Sequence, residues 1–167
     1  PCPKAPIDIS AAINGATVTG STVNETNVVN SSCGGASSPE VIFSVTPTQS
    51  GTVPASTTNP GTTYDTVLSV RGQCGDPNTE LACNDDCLGL TSCVTWFAEA
   101  GSTYFLIVEG FGAQSGNFEV SLSEIFSGPS TGGRQFRQRE RLRRIRRSRG
   151  GRAAPPSRRR SACRMSP

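Results

Sequence analysis

Short runs in which apolar and polar residues alternate recur through residues 1–126, each closed by glycine, proline, asparagine or serine. In VIFSVT (41–46), Val41, Phe43 and Val45 share one face, as the two-residue period of a strand requires. SGTVPAST (50–57) continues the pattern, but Pro54 has no N–H to give a ladder and predicts an edge strand or a bulge. YDTVLSVRG (64–72) sets Leu68 and Val70 on the face of Tyr64 and Thr66, and TELAC (79–83) is a shorter run. CVTWFAEAG (93–101) groups Val94, Trp96 and Ala98. STYFLIVEG (102–110) is apolar on both faces from Tyr104 to Val108, which predicts a central strand covered on both sides. NFEVSLSEI (117–125) turns Phe118, Val120 and Leu122 one way and Glu119, Ser121 and Ser123 the other. PIDISAAI (6–13) and ATVTGST (16–22) are weaker strand candidates. Ala100-Gly101 and residues 112–116 read as hairpin turns. Eight or nine short strands with regular turns and no strong helix predict an all-β sandwich or barrel.

The pattern stops after Phe126. Residues 127–133, SGPSTGG, read as a linker, and residues 134–167 as a basic tail that is disordered or partly helical by composition. Charge divides the chain at the same place. Residues 1–133 carry Lys4 and Arg71 against twelve acids, a balance of −10. Residues 134–167 carry fourteen arginines against Glu140, a balance of +13. Arg137, Arg139, Arg141, Arg143, Arg144, Arg146 and Arg147 form the densest part and are candidates for binding a polyanion such as nucleic acid. Two other origins are open for the tail. Arg, Pro, Ser, Gly and Ala are what GC-rich codons give out of frame, and the segment also reads as a linker or a processed end. Cys163 has no evident partner.

Six cysteines lie in the body: Cys2, Cys33, Cys74, Cys83, Cys87 and Cys93. With no CxxC pair and no histidine in the chain, they read as disulfides formed in an oxidising compartment. Proximity in sequence gives Cys74–Cys83, Cys87–Cys93 and Cys2–Cys33. Sequons at Asn24 and Asn30 fit loops outside the cell. No apolar run is long enough to span a membrane. A start at Pro1 without Met fits a mature product or a fragment.

Asn84, Asp85 and Asp86 sit between Cys83 and Cys87. Three readings are open. The segment is an Asx turn with no ion, a turn supported by calcium with Asp65 as a further acid from a neighbouring strand, or half of a zinc knuckle through the Cys83-x3-Cys87 spacing. No DxDxDG loop is present, so the segment is not an EF-hand.

The series PEVIFSVTP, GTVPAST, TYDTVLSVRG-x-CG, TELACNDD, AEAGSTYFLIVEGFG and SGNFEVSLS resembles the bacterial pre-peptidase C-terminal (PPC) domain, of the kind found in secreted proteins of myxobacteria and relatives. The resemblance covers residues 1–126. It implies a jelly-roll-like antiparallel β-sandwich that serves a secreted protein as an accessory module, with calcium and matrix protein bound in collagenase relatives. The partners it implies are covalently linked catalytic or surface domains, and extracellular protein or polysaccharide. The segments that match place Asp65, Asn84, Asp85 and Asp86 as the metal candidates. Cys87 and Cys93 depart from the family pattern, as does Pro54, and the arginine tail has no counterpart in it.

Without histidine there is no Ser-His-Asp or Cys-His pair. Paired carboxylates suffice for glycoside hydrolysis, but a thin sandwich offers them little room for a cleft. The expectation is a non-catalytic module whose activity is binding. Among the aromatic candidates for a contact surface, Trp96 and Tyr104 fit inward positions, Tyr64 shares the face of Leu68, and Phe111 is the one expected outside, unless it folds over the sandwich edge.

Overall fold

A computed structural model describes residues 1–35 and 37–126. The linker at 127–133, the arginines assigned to polyanion binding and Cys163 lie outside them. Nine strands form two sheets: β1 (Ile7–Asp8), β2 (Thr17–Ser21), β3 (Val41–Val45), β4 (Gly51–Ser56), β5 (Thr66–Arg71), β6 (Glu80–Asn84), β7 (Cys93–Ala98), β8 (Tyr104–Gly110) and β9 (Asn117–Leu122). One sheet runs β1-β3-β8-β5-β6 and the other β2-β9-β4-β7. Pairing is antiparallel throughout except for β1 with β3. The result is a two-sheet sandwich, one of the two architectures the alternation predicts and the jelly-roll-like one the resemblance implies.

The main core lies between the sheets. Phe43, Leu68, Val70, Trp96, Leu106, Val108, Phe118, Val120 and Leu122 fill it, and Phe43 meets Phe118 edge-on with ring centres 6.0 Å apart. Trp96 and Tyr104 are inside, 6.3 Å apart, and Tyr64 joins them in the core. Phe111 is 45 % exposed, yet its ring lies against Gly34, close enough that a Cβ there would stand 2.7 Å from it.

β8 is the central strand that its unbroken apolar run predicts, between β3 and β5. Its second face is covered by chain that shows no strand period. Between β2 and β3, Val29 packs on Ile42, Ile107 and Cys74 in a second, smaller core on the outer side of the first sheet. That covering also explains why β5 is buried at all six positions rather than on alternate ones.

Two local expectations change. PIDISAAI is a strand only at Ile7–Asp8. The Asp8 carboxylate then accepts from the Ser10 N–H at 2.9 Å and from its hydroxyl at 2.6 Å, bending the chain into a 3-10 turn over Ser10–Asn14. Gly15 ends that turn at φ 91°, a conformation that suits glycine. Pro54 lies in an interior strand, but at an irregularity. β4 pairs Ala55 with Leu122, whereas Thr52 meets Phe126, a slip of one residue. The Pro54 carbonyl accepts from the Ser123 N–H at 3.0 Å inside that slip, where the ladder asks for no proline N–H.

Candidate metal centre

The three acids are assembled by strand register. β5 and β6 run antiparallel with Leu68 opposite Asn84, so the residue leading into β5 comes beside the residues leaving β6. One carboxylate oxygen from each of Asp65, Asp85 and Asp86 lies within 4.8 Å of the other two. Burial raises the Asp65 carboxyl, and the charge of Asp86 raises it further. Burial raises Asp85 as well, followed by the charges of Asp65 and Asp86. Asp65 Oδ1 and Asp85 Oδ1 are shut off from solvent and have no hydrogen-bond partner among the described residues. On the far side, Gln114 Nε2 approaches Asp65 Oδ2 at 3.4 Å.

Asn84 is not brought into this group. Its Oδ1 accepts from the Cys93 N–H at 2.9 Å and its Nδ2 donates to the Asp86 carbonyl at 3.3 Å. Both ends of the amide are used in shaping the turn. The Ser92 hydroxyl sits within reach of the carbonyls of Thr66 and Asp85 and ties the segment to β5. The turn is therefore held by bonds that leave all three carboxylates uninvolved.

The cystines frame the site, with a corrected pairing. Cys87–Cys93 closes its hairpin as proximity predicts. Cys74–Cys83 and Cys2–Cys33 do not form; the bonds are Cys2–Cys74 and Cys33–Cys83, with Cα atoms 4.9 and 5.9 Å apart. The loop after Cys74 needs no staple. Asp76 accepts from the Asn78 N–H at 2.9 Å, and the Thr79 hydroxyl accepts from the Gln73 N–H at 2.9 Å. Cys83 stands opposite Ser69 on the outward face of β5–β6, where the covering segment delivers Cys33. The six cysteines are thus consumed in pairs, which removes the zinc-knuckle reading.

Three carboxylates with no cationic side chain beside them among the described residues suit a hard divalent cation. Calcium takes 6–8 oxygens; Asp65, Asp85 and Asp86 would supply three, with water and neighbouring carbonyls to complete the set. Such an ion would supply charge neutralisation and a cross-link between the start of β5 and the end of β6.

Several features had no signal in the sequence. Glu40, Arg71 and Glu109 are buried on the outer side of the first sheet, which a pattern of exposed acids does not foretell. Phe126, 63 % exposed, is another such feature; Phe97, equally exposed, is turned out by the same alternation that puts Val94, Trp96 and Ala98 inside.

No protein-family model matches the chain, and no curated protein matches it. A solved structure to which it is similar is the pre-peptidase C-terminal domain of collagenase from Bacillus anthracis, at 18 % identity and a TM-score of 0.46, over 72 % of this chain and 96 % of that one. Among the described residues no helix is long and apolar enough to cross a membrane.

Proposed function

We propose that residues 1–126 are a non-catalytic, extracellular accessory module of a secreted protein, stabilised by calcium at Asp65, Asp85 and Asp86. The observation that carries the metal part is the convergence of three carboxylates within 4.8 Å, two of them with a buried, unpartnered oxygen. Like charges gathered this closely, with Asp65 and Asp85 half-buried and Asp86 exposed, oppose folding; a cation turns the same geometry into a cross-link. Three cystines in one small body support a place outside the reducing cytosol. The PPC-like motifs support service to a larger protein, a peptidase being one such parent. The absence of histidine from the sequence and a sandwich interior filled by its own side chains support binding over catalysis.

Thermal melting of the full chain in calcium and in chelator tests the metal part. A higher midpoint in calcium, growing with its concentration, is the expected result. Equal midpoints would remove the ion and leave a braced turn.

A second reading rests on the charge division of the sequence: the arginines of 134–167 bind a polyanion, nucleic acid or an acidic envelope polymer. Binding to DNA should then weaken steeply with salt. Equal binding by a chain ending at Phe126 would contradict it.

A further inference from the structure

Residues 23–32 cross the outer face of the first sheet as a strap without regular secondary structure. Its ends are fixed. Thr22 N–H donates to the Gly116 carbonyl at 2.9 Å, and Cys33 is bonded to Cys83 on β6. Between these anchors the strap is held largely by charged side chains of the sheet. The Val28 N–H donates to Glu40 at 2.9 Å and the Ser31 N–H to Glu109 at 2.9 Å. Ser31 Oγ meets Ser69 Oγ at 2.6 Å, the Ser32 N–H reaches Glu80 at 3.2 Å, and Arg71 donates to the Asn30 carbonyl.

Glu109 is the unusual member. It sits on β8, the middle strand of the sheet, and is fully buried. Its Oε1 receives the strap N–H, and its Oε2 has no partner. The backbone at Gly35 closes over it so tightly that a Cβ there would stand 2.0 Å from the carboxyl carbon. Among the described residues, the ionisable groups that act on it are Glu40 ahead of β3, Arg71 at the end of β5 and Tyr64 ahead of β5. Arg71 is committed to Asn30, the Cys74 carbonyl and a 3.9 Å contact with Glu80. Lys4 is occupied by Glu25 and the Glu40 carbonyl. Thus, among the described residues, no cation pairs directly with Glu109.

We propose that residues 23–32 are a pH-gated strap, closed while Glu109 holds a proton and released toward solvent when it loses one. Burial pushes the Glu109 carboxyl up to about 7, with Glu40 adding to the rise and Ser31 and Arg71 opposing it. With the strap open, the carboxyl meets water and returns toward its ordinary value of 4.5. The closed form therefore binds the proton more tightly. Closure is strongest below that ordinary value and weakens as pH rises through about 7. Release uncovers Ile42 and Ile107, the apolar floor beneath Val29, while the two anchors keep the strap tethered. A module secreted into acidic surroundings would keep this face covered and expose it on neutralisation.

Amide exchange on the full chain, corrected for the intrinsic pH dependence of exchange, tests this. The protection factors of the Val28 and Ser31 amides should fall on the order of tenfold between about pH 5.5 and 8.5. Glu109→Gln should flatten that profile, and Glu99→Gln, at an exposed position outside the strap and its partners, should leave it in place. Should Glu109→Gln not fold, carboxyl carbon NMR of the unsubstituted chain decides: Glu109 titrating near neutrality supports the strap. Titration in the ordinary carboxylate range, or equal profiles in the parent and Glu109→Gln, would overturn it.

Discussion

Asp85→Asn separates an ion site from a braced turn, because its effect should change sign with calcium. In chelator, Asp85 faces Asp65 and Asp86, each with an oxygen within 4.8 Å. At that distance two unit charges repel by about 1 kcal/mol in a water-like dielectric, and more where solvent is shut out. Removing the Asp85 charge deletes two such terms, less what salt already screens. The substitution should therefore stabilise the ion-free protein by about 1–2 kcal/mol, or several degrees in a body of this size. The turn itself should persist, since Ser92 contacts the Asp85 main-chain carbonyl and Asn84 supplies the other bonds. In calcium the order reverses. An ion present at a hundred times its dissociation constant contributes about 2.7 kcal/mol, and a site reduced to two carboxylates forfeits most of that. Melting curves of parent and variant in both conditions give the four midpoints needed. A variant that melts lower by the same amount in calcium and in chelator would refute the reasoning, as would one that melts higher by the same amount in both.

Removing the cystines should rank by the chain they enclose. Cys33→Ala with Cys83→Ala, across a separation of 50 residues, should cost about 4 kcal/mol in the chain-entropy picture. Cys87→Ala with Cys93→Ala, across 6, should cost about 2 kcal/mol. Denaturant titration of the two variants checks the order. Leu106→Ala on β8, fully buried in the main core, should cost about 3–4 kcal/mol; a loss under about 1 kcal/mol would contradict the packing. For pH, the Asp65 and Asp85 carboxyls are both raised in the folded state. Their contribution to ion-free stability is thus fullest at acid pH and is lost as pH rises through the carboxylate range. Calcium should remove that loss, which urea titrations at a series of pH values would show.

The strands were legible because their chemistry is local. Phe118, Val120 and Leu122 alternate with Glu119 and Ser121 whatever surrounds them, and the apolar run of β8 announces a strand covered on both sides. The cystine pairing was not legible, because it depends on where residues 22–33 travel. That segment carries no period, and only its path over the first sheet brings Cys33 to Cys83. The buried acids were hidden for the same reason. Glu109 ends an apolar run and Glu40 precedes one, positions that read as strand boundaries until a strap covers them. The sequence offers Asp65 only as an acid from a neighbouring strand; the register that joins the start of β5 to the end of β6 is what sets it beside the 85–86 pair. Asn84 could not be set apart from them, since its side chain is drawn to the Cys93 N–H by a hairpin that the sequence does not position.

The most direct test is a crystal of the protein grown with calcium and measured at a wavelength where calcium scatters anomalously. A peak within coordination reach of Asp65, Asp85 and Asp86, with Cys2–Cys74 and Cys33–Cys83 closed in the same map, is the predicted result. A well-ordered map showing those carboxylates hydrated, with no anomalous peak among them, would contradict the proposed ion.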